Sequence, residues 1–142
     1  MIRRARPADV TSLVAMALRA LGSLDTGTVV VSKKRIELTA RRLVSDPQSL
    51  VLVHENNDID GAIAVSVTDS ICFERKIAGI VLWYAEVSGT GATLLRQALM
   101  WSAKRPAIKA VGLSMDFGGD ERIGKLLERA GLNRRGSVYA RY

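Results

Sequence analysis

Apolar residues in this chain follow two rhythms that alternate along its length. Val10, Leu13, Val14, Ala17, Leu18 and Leu21 recur every three or four positions, which turns one face of a helix toward a core. Pro7 opens that helix, because a first-turn proline loses no hydrogen bond, and Gly22 ends it. A second stripe, Ile36, Ala40, Leu43 and Val44, follows Ser32 as N-cap and stops at Pro47, with Lys33, Lys34, Arg41 and Arg42 on its other face. Residues 50–54 and 61–68 read as strands joined by a polar turn over 55–60. Residues 77–85 are apolar almost throughout, the pattern of a central strand covered on both faces. The helical period returns over 90–104, with Leu94, Leu95, Ala98, Leu99 and Trp101 as its apolar side, until Pro106 breaks it.

Residues 108–115 form the next strand, parallel to 77–85 because a full helix intervenes. Asp120 caps a last helix carrying Ile123, Leu126, Leu127 and Ala130, Gly131 closes it, and 132–142 returns as a strand. With a short strand at 2–6 in front, the order is β-α-α-β-β-β-α-β-α-β. This predicts one α/β (α+β) domain spanning 1–142, a mixed sheet with helices on both faces.

The junction after the apolar strand is the most telling. Gly89-Thr90-Gly91 leads straight into a helix, so free backbone N–H groups and the positive end of a helix dipole meet at one point. Glycines there let an anion approach the main chain without a Cβ in the way. Phosphates are expected on Ser88, Gly89, Thr90, Gly91, Ala92 and Thr93. A dinucleotide fingerprint would need a third glycine where Leu94 stands, and no Gly-Lys-Ser/Thr of a Walker loop follows. A tight turn that needs glycine for its own sake is the other reading.

Charge fits an anionic ligand: 21 Lys plus Arg stand against 14 Asp plus Glu, a formal net charge of +7. The basic residues are scattered, so they serve either as a solvated surface or as an anion-attracting face. Seven aromatics make no basic–aromatic platform, and nucleic acid is not an expected partner. No apolar run reaches the roughly 18 residues of a membrane span, and residues 1–7 do not lead into a signal-peptide core. One cysteine (Cys72) and one histidine (His54) make neither an internal disulfide nor a zinc site. A cytoplasmic, metal-free protein follows.

Three patches carry a family likeness: Arg3-Arg4-Ala5-Arg6-Pro7-Ala8-Asp9-Val10, the run Trp83 to Leu95, and Leu126-Leu127-Glu128-Arg129-Ala130-Gly131-Leu132. In that order they resemble the GNAT superfamily of N-acyltransferases, which use acetyl-CoA or another acyl-CoA. The compact form, with Trp-Tyr before the loop, is similar to small members often encoded by bacteriophages. The resemblance implies a cofactor arm lying along the splay between strands 77–85 and 108–115, with backbone N–H groups around Trp83 and Ala85 as oxyanion donors. It also puts Glu86 where the family has Arg or Gln, Ser88 where an arginine is frequent, and Leu127 where many members have a tyrosine acid.

Direct transfer from a thioester to an amine needs a base, oxyanion donors and a proton for the leaving thiolate. Glu86 is the candidate base, with Glu74 second; Tyr84 and Tyr139 are the candidate acids. Arg122 and Lys125 stand where the last helix begins and either meet the cofactor or face solvent. His54 is read as structural and remote from the glycine loop, and Cys72 has no histidine partner in sight. The acceptor amine, a small molecule or a protein, would sit against the first two helices and the loops near 22–31 and 69–76. The alternative is a catalytically degenerate fold that serves as a binding module or a virion component. An edge strand at 132–142 could pair two copies into a homodimer.

Overall fold

A computed structural model describes residues 1–22, 30–113 and 121–135. Five strands form one sheet in chain order: β1 (Ile2–Arg4), β2 (Leu50–Asn56), β3 (Asp58–Asp69), β4 (Lys76–Ala85) and β5 (Ile108–Gly112). The first four pair antiparallel, and β5 joins β4 in parallel. That parallel step follows from α3 (Thr90–Ala103), which carries the chain back along one face. The other face is covered by α1 (Val10–Gly22) and α2 (Lys33–Ser45), and α4 (Glu121–Arg129) lies beside α3.

Strand alternation divides the core into two layers. Val53, Ala62 and Ala64 face Leu13, Met16 and Leu43 of α1 and α2. Ile63, Val65, Ala78 and Ile80 face Leu94, Leu95 and Ala98 of α3. Ile63, Leu94 and Leu95 are at most 1% exposed, so each adds about 1.5–3 kcal/mol of apolar burial.

Several expected boundaries move. Pro7–Asp9 is a 3-10 turn, held by the Arg6 N–H donating to Asp9 Oδ2 at 2.7 Å, and α1 begins only at Val10. At its other end α1 runs to Gly22, as expected. The turn read over 55–60 shrinks to Asn57, whose φ of 67° suits asparagine, while Asn56 and Asp58 pair across it. Glu55 keeps β2 extended because its N–H donates to the Met1 carbonyl at 2.9 Å. β5 ends at Gly112, and 132–135 are irregular rather than strand. The Asp120 cap, the rest of the last strand and Tyr139 lie outside the described residues. Gly131 does close α4: with φ 95° its N–H reaches Glu128 O, and Leu132 N–H reaches Leu127 O, both at 3.0 Å. No described helix is long and apolar enough to cross a membrane.

Candidate functional site

The site begins where β4 loses a neighbour. β5 pairs with β4 over Lys76–Gly79, whereas β3 follows β4 up to the Ala85–Gly61 pair. Ala64 lies opposite Leu82 and Val65 opposite Ile80, so Val81 is an extra residue that bulges outward, 57% exposed. Above Gly79, the edge of β4 turned away from β3 has no described strand beside it. Its N–H and C=O groups are the kind that an extended ligand takes.

That edge runs into the glycine loop. The Thr90 N–H returns to Val87 O at 3.2 Å, and the Thr93 N–H and hydroxyl both donate to Gly89 O, at 3.3 and 3.2 Å. Between them stand the N–H groups of Gly91 and Ala92, which a helix's first turn leaves without an intrahelical acceptor. The dipole of α3 adds positive potential at the same place.

Three glycines build this junction for different reasons. Gly89 sits at φ 84° with open space where its Cβ would be, so it supplies a left-handed turn. A Cβ on Gly91 would point inward, 3.5 Å from Trp83 Nε1 and 3.7 Å from Ala85 Cβ. Trp83 fixes that turn by donating to Gly91 O at 2.9 Å. A Cβ on Gly61 would come within 3.1 Å of Thr90 Cγ2 and 3.3 Å of Leu94 Cδ1, so its absence lets α3 settle on β3.

Beside this loop a groove of about 450 Å³ runs between α3 and α4. Leu95, Leu99, Met100 and Leu126 give it an apolar floor, and Ala92, Arg96 and Arg129 line it as well. Among the described residues, no group of three or more His, Cys, Asp or Glu is placed to hold a metal.

Trp83, Ala85, Ser88, Gly89, Thr90, Gly91, Ala92 and Thr93 thus come together at one end of the sheet. Glu86 stands at the tip, its N–H donating to Asp60 O at 2.8 Å. Its Oε1 accepts from both Nε and Nη2 of Arg19, at 2.8 and 2.7 Å, which ties it to α1. Tyr84 alternates to the face opposite Trp83 and packs, half-buried, on the layer of Leu13 and Met16. Arg122 and Lys125 lie on α4, and Leu127, where the resemblance expects a tyrosine, packs on the α3 layer.

Two expectations are corrected. His54 is not remote from the loop: it pairs with Gly61, which pairs with Ala85, so the three share one row of the sheet. Its Nδ1 bonds Asp60 Oδ1. Glu74 falls in the connection between β3 and β4, at the other end of β4 from the loop. Sequence reasoning missed Arg19, Gly61, Arg96 and Arg129. Arg96 was within reach of it, one turn beyond Ala92 on the same helical face; the others depend on tertiary contacts.

No family model matches the sequence, and no curated protein does. Solved structures match over the whole chain. A possible acetyltransferase from Clostridium difficile superposes with a TM-score of 0.78 at 14% identity, covering 100% of this chain and 96% of that one. A predicted acetyltransferase from Clostridium acetobutylicum, solved with acetyl-CoA, gives 0.77 at 18% identity, covering 100% and 95%. An aminoglycoside 6'-N-acetyltransferase from Acinetobacter haemolyticus gives 0.73 at 14% identity, covering 100% and 97%. The fold is therefore that of GNAT-type acetyltransferases.

Proposed function

We propose that this protein is an acyl-CoA-dependent N-acyltransferase acting on an amine in the cytoplasm. One observation carries the reading: the upper edge of β4, beside which no described strand lies, leads directly to the Gly91 and Ala92 N–H groups at the start of α3. An acyl-CoA is an extended amide chain with a pyrophosphate, and these are the two surfaces it needs. The residues fit the group. The backbone N–H groups of Gly91 and Ala92 in the 88–93 loop would hold the pyrophosphate, Arg96 and Arg129 line the groove beside it, Arg122 is a further cation on α4, and Leu95 and Leu99 offer apolar contact. The solved C. acetobutylicum protein that contains acetyl-CoA shares this fold.

Bound acyl-CoA supplies a thioester already activated for attack. The chain's part is to orient it, polarise its carbonyl and move protons. The backbone N–H groups of Trp83 and Ala85, which alternate to the edge away from β3, are the oxyanion donors. Glu86, with Oε1 held by Arg19, takes the amine proton directly or through water. Tyr84 reaches the same end of β4 from the α1 side and is the proton donor for the thiolate, with Tyr139 as the second phenol.

Arg19's hold on Glu86 and the packed Leu127 favour a second reading, a binding module without turnover. Thermal melting with acetyl-CoA tests the shared premise. At 100 times its dissociation constant a ligand adds about 2.7 kcal/mol, which raises Tm by several degrees. No shift in Tm removes both readings. A shift without CoA release from any amine leaves the binding module.

A further inference from the structure

The charges at the loop end of the sheet are unevenly used. Glu55 accepts from Arg3 Nε at 2.7 Å, Asp60 is bonded to His54, and Glu86 is bonded to Arg19. Lys33, Lys34 and Arg35, by contrast, are exposed and form no ion pair with a described residue. Glu37, the nearest acid on α2, is paired with Arg41 at 2.8 Å.

These three cations belong to the same end. α2 finishes at the opposite end, where Ser49 O accepts from Arg4 Nη2 at 2.7 Å and Leu50 begins β2. Thirteen helical residues rise about 20 Å, so the first turn of α2 stands level with the end of α1 that bears Arg19. Helix stability does not explain them, because cations in a first turn oppose the helix dipole. The first turn of α2 has no acid to offset them.

Resting on the transferase reading, we infer that the acceptor is an amine that carries an anionic group, carboxylate or phosphate. The α3 side of upper β4 is occupied by Trp83 and α3 and adjoins the groove for the donor. An acceptor therefore approaches from the α1–α2 side; among the described residues at this end Glu55, Asp60 and Glu86 are paired and Asp58 is a lone exposed carboxylate, against the three unpaired cations Lys33, Lys34 and Arg35. Among the described residues a polycationic amine finds one unpaired carboxylate at this end, Asp58, whereas an anionic amine finds Lys33, Lys34 and Arg35.

The test uses ethanolamine, phosphoethanolamine, glutamate and spermidine as acceptors, with acetyl-CoA as donor and CoA release as the readout. Phosphoethanolamine or glutamate should exceed ethanolamine at least about tenfold in kcat/KM, with spermidine lowest. Comparing the two anions separates phosphate from carboxylate. A triple charge reversal, Lys33→Glu with Lys34→Glu and Arg35→Glu, should remove that advantage while leaving acetyl-CoA affinity unchanged. Acids suit a helix's first turn, so Tm should hold, which excludes misfolding as the cause. Spermidine as the best acceptor, or an unchanged preference in the triple variant, overturns the inference. Calorimetry of phosphoethanolamine against spermidine on the CoA complex reads the preference without turnover. Anion preference without CoA release would refute the transferase reading alone; turnover without anion preference would refute the acceptor class alone.

Discussion

The two halves of β4 have opposite fates. Lys76–Gly79 is flanked by strands on both sides, and Ala78 within it is completely buried. Ile80–Ala85 keeps β3 but loses β5, bulges at Val81 and ends in a loop of exposed residues. An apolar strand is thus paired on both sides for half its length and, among the described residues, on one side for the rest. Hydropathy does not record that difference in pairing.

The sharpest way to break this contrast is at Gly89. A valine there must adopt φ near 84°, a conformation that costs a β-branched residue about 1–2 kcal/mol, so α3 will start differently. Gly89→Val should weaken acetyl-CoA binding about a hundredfold, the cost of displacing a binding group by an ångström. Gly91→Ala is the control. Its Cβ enters ordinary contact with Trp83, so calorimetry should find affinity within about threefold of wild type. Equal losses in both variants would mean that open approach, rather than loop shape, is what the glycines provide.

Glu86→Gln separates binding from chemistry in the same half. Removing the proposed base should lower kcat about 10²-fold. The freed Arg19 should tighten acetyl-CoA binding two- to threefold at low salt, an effect that ionic strength screens. An unchanged kcat would take Glu86 out of the reaction. In the lower half the expectation reverses. Ala78→Leu overpacks a closed layer and should cost about 1–3 kcal/mol in chemical denaturation, with affinity held within about twofold.

Most of the fold was legible because period and punctuation agreed. Ser32 caps α2 by accepting the Arg35 N–H at 3.3 Å, and Gly131 closes α4, both as the residue types imply. The glycine loop was legible for the same reason, as a strand, two glycines and a helix in succession. The turn at Asn57 was not, because a polar run of six residues does not say which one takes positive φ. The role of Gly91 was half legible: a glycine was needed, but the indole that fills its space comes from Trp83 across the junction. His54 was misplaced because sheet register, rather than distance along the chain, brings it level with Ala85. The partner of Glu86 lies 67 positions away on α1, and nothing local announces it.

The smallest expected effect compares two arginine–carboxylate pairs. Arg19 and Glu86 are 52% and 37% exposed, whereas Arg3 and Asp9 are 15% and 12% exposed. Arg3 grips Asp9 with two bonds, Nη1 to Oδ2 at 2.7 Å and Nη2 to Oδ1 at 3.0 Å, and its Nε holds Glu55. The Arg3 hydrogen bonds hold the Asp9 carboxyl below its ordinary range, helped by the Arg6 N–H. A carboxyl lowered in the folded state binds its proton less readily than in the unfolded chain. Its stabilisation is therefore present above the ordinary carboxylate pKa and disappears as pH falls through the lowered value. Asp9→Asn should lower Tm by about 5 °C at pH 7, and the gap from wild type should narrow as pH falls below the ordinary carboxylate range and close below the lowered value. Acetyl-CoA affinity at neutral pH should not change, because the pair ties β1 to the first turn rather than shaping the loop. A Tm gap that stays constant as the pH falls through and below the ordinary carboxylate range would mean that Asp9 acts through its shape and hydrogen bonds, not its charge.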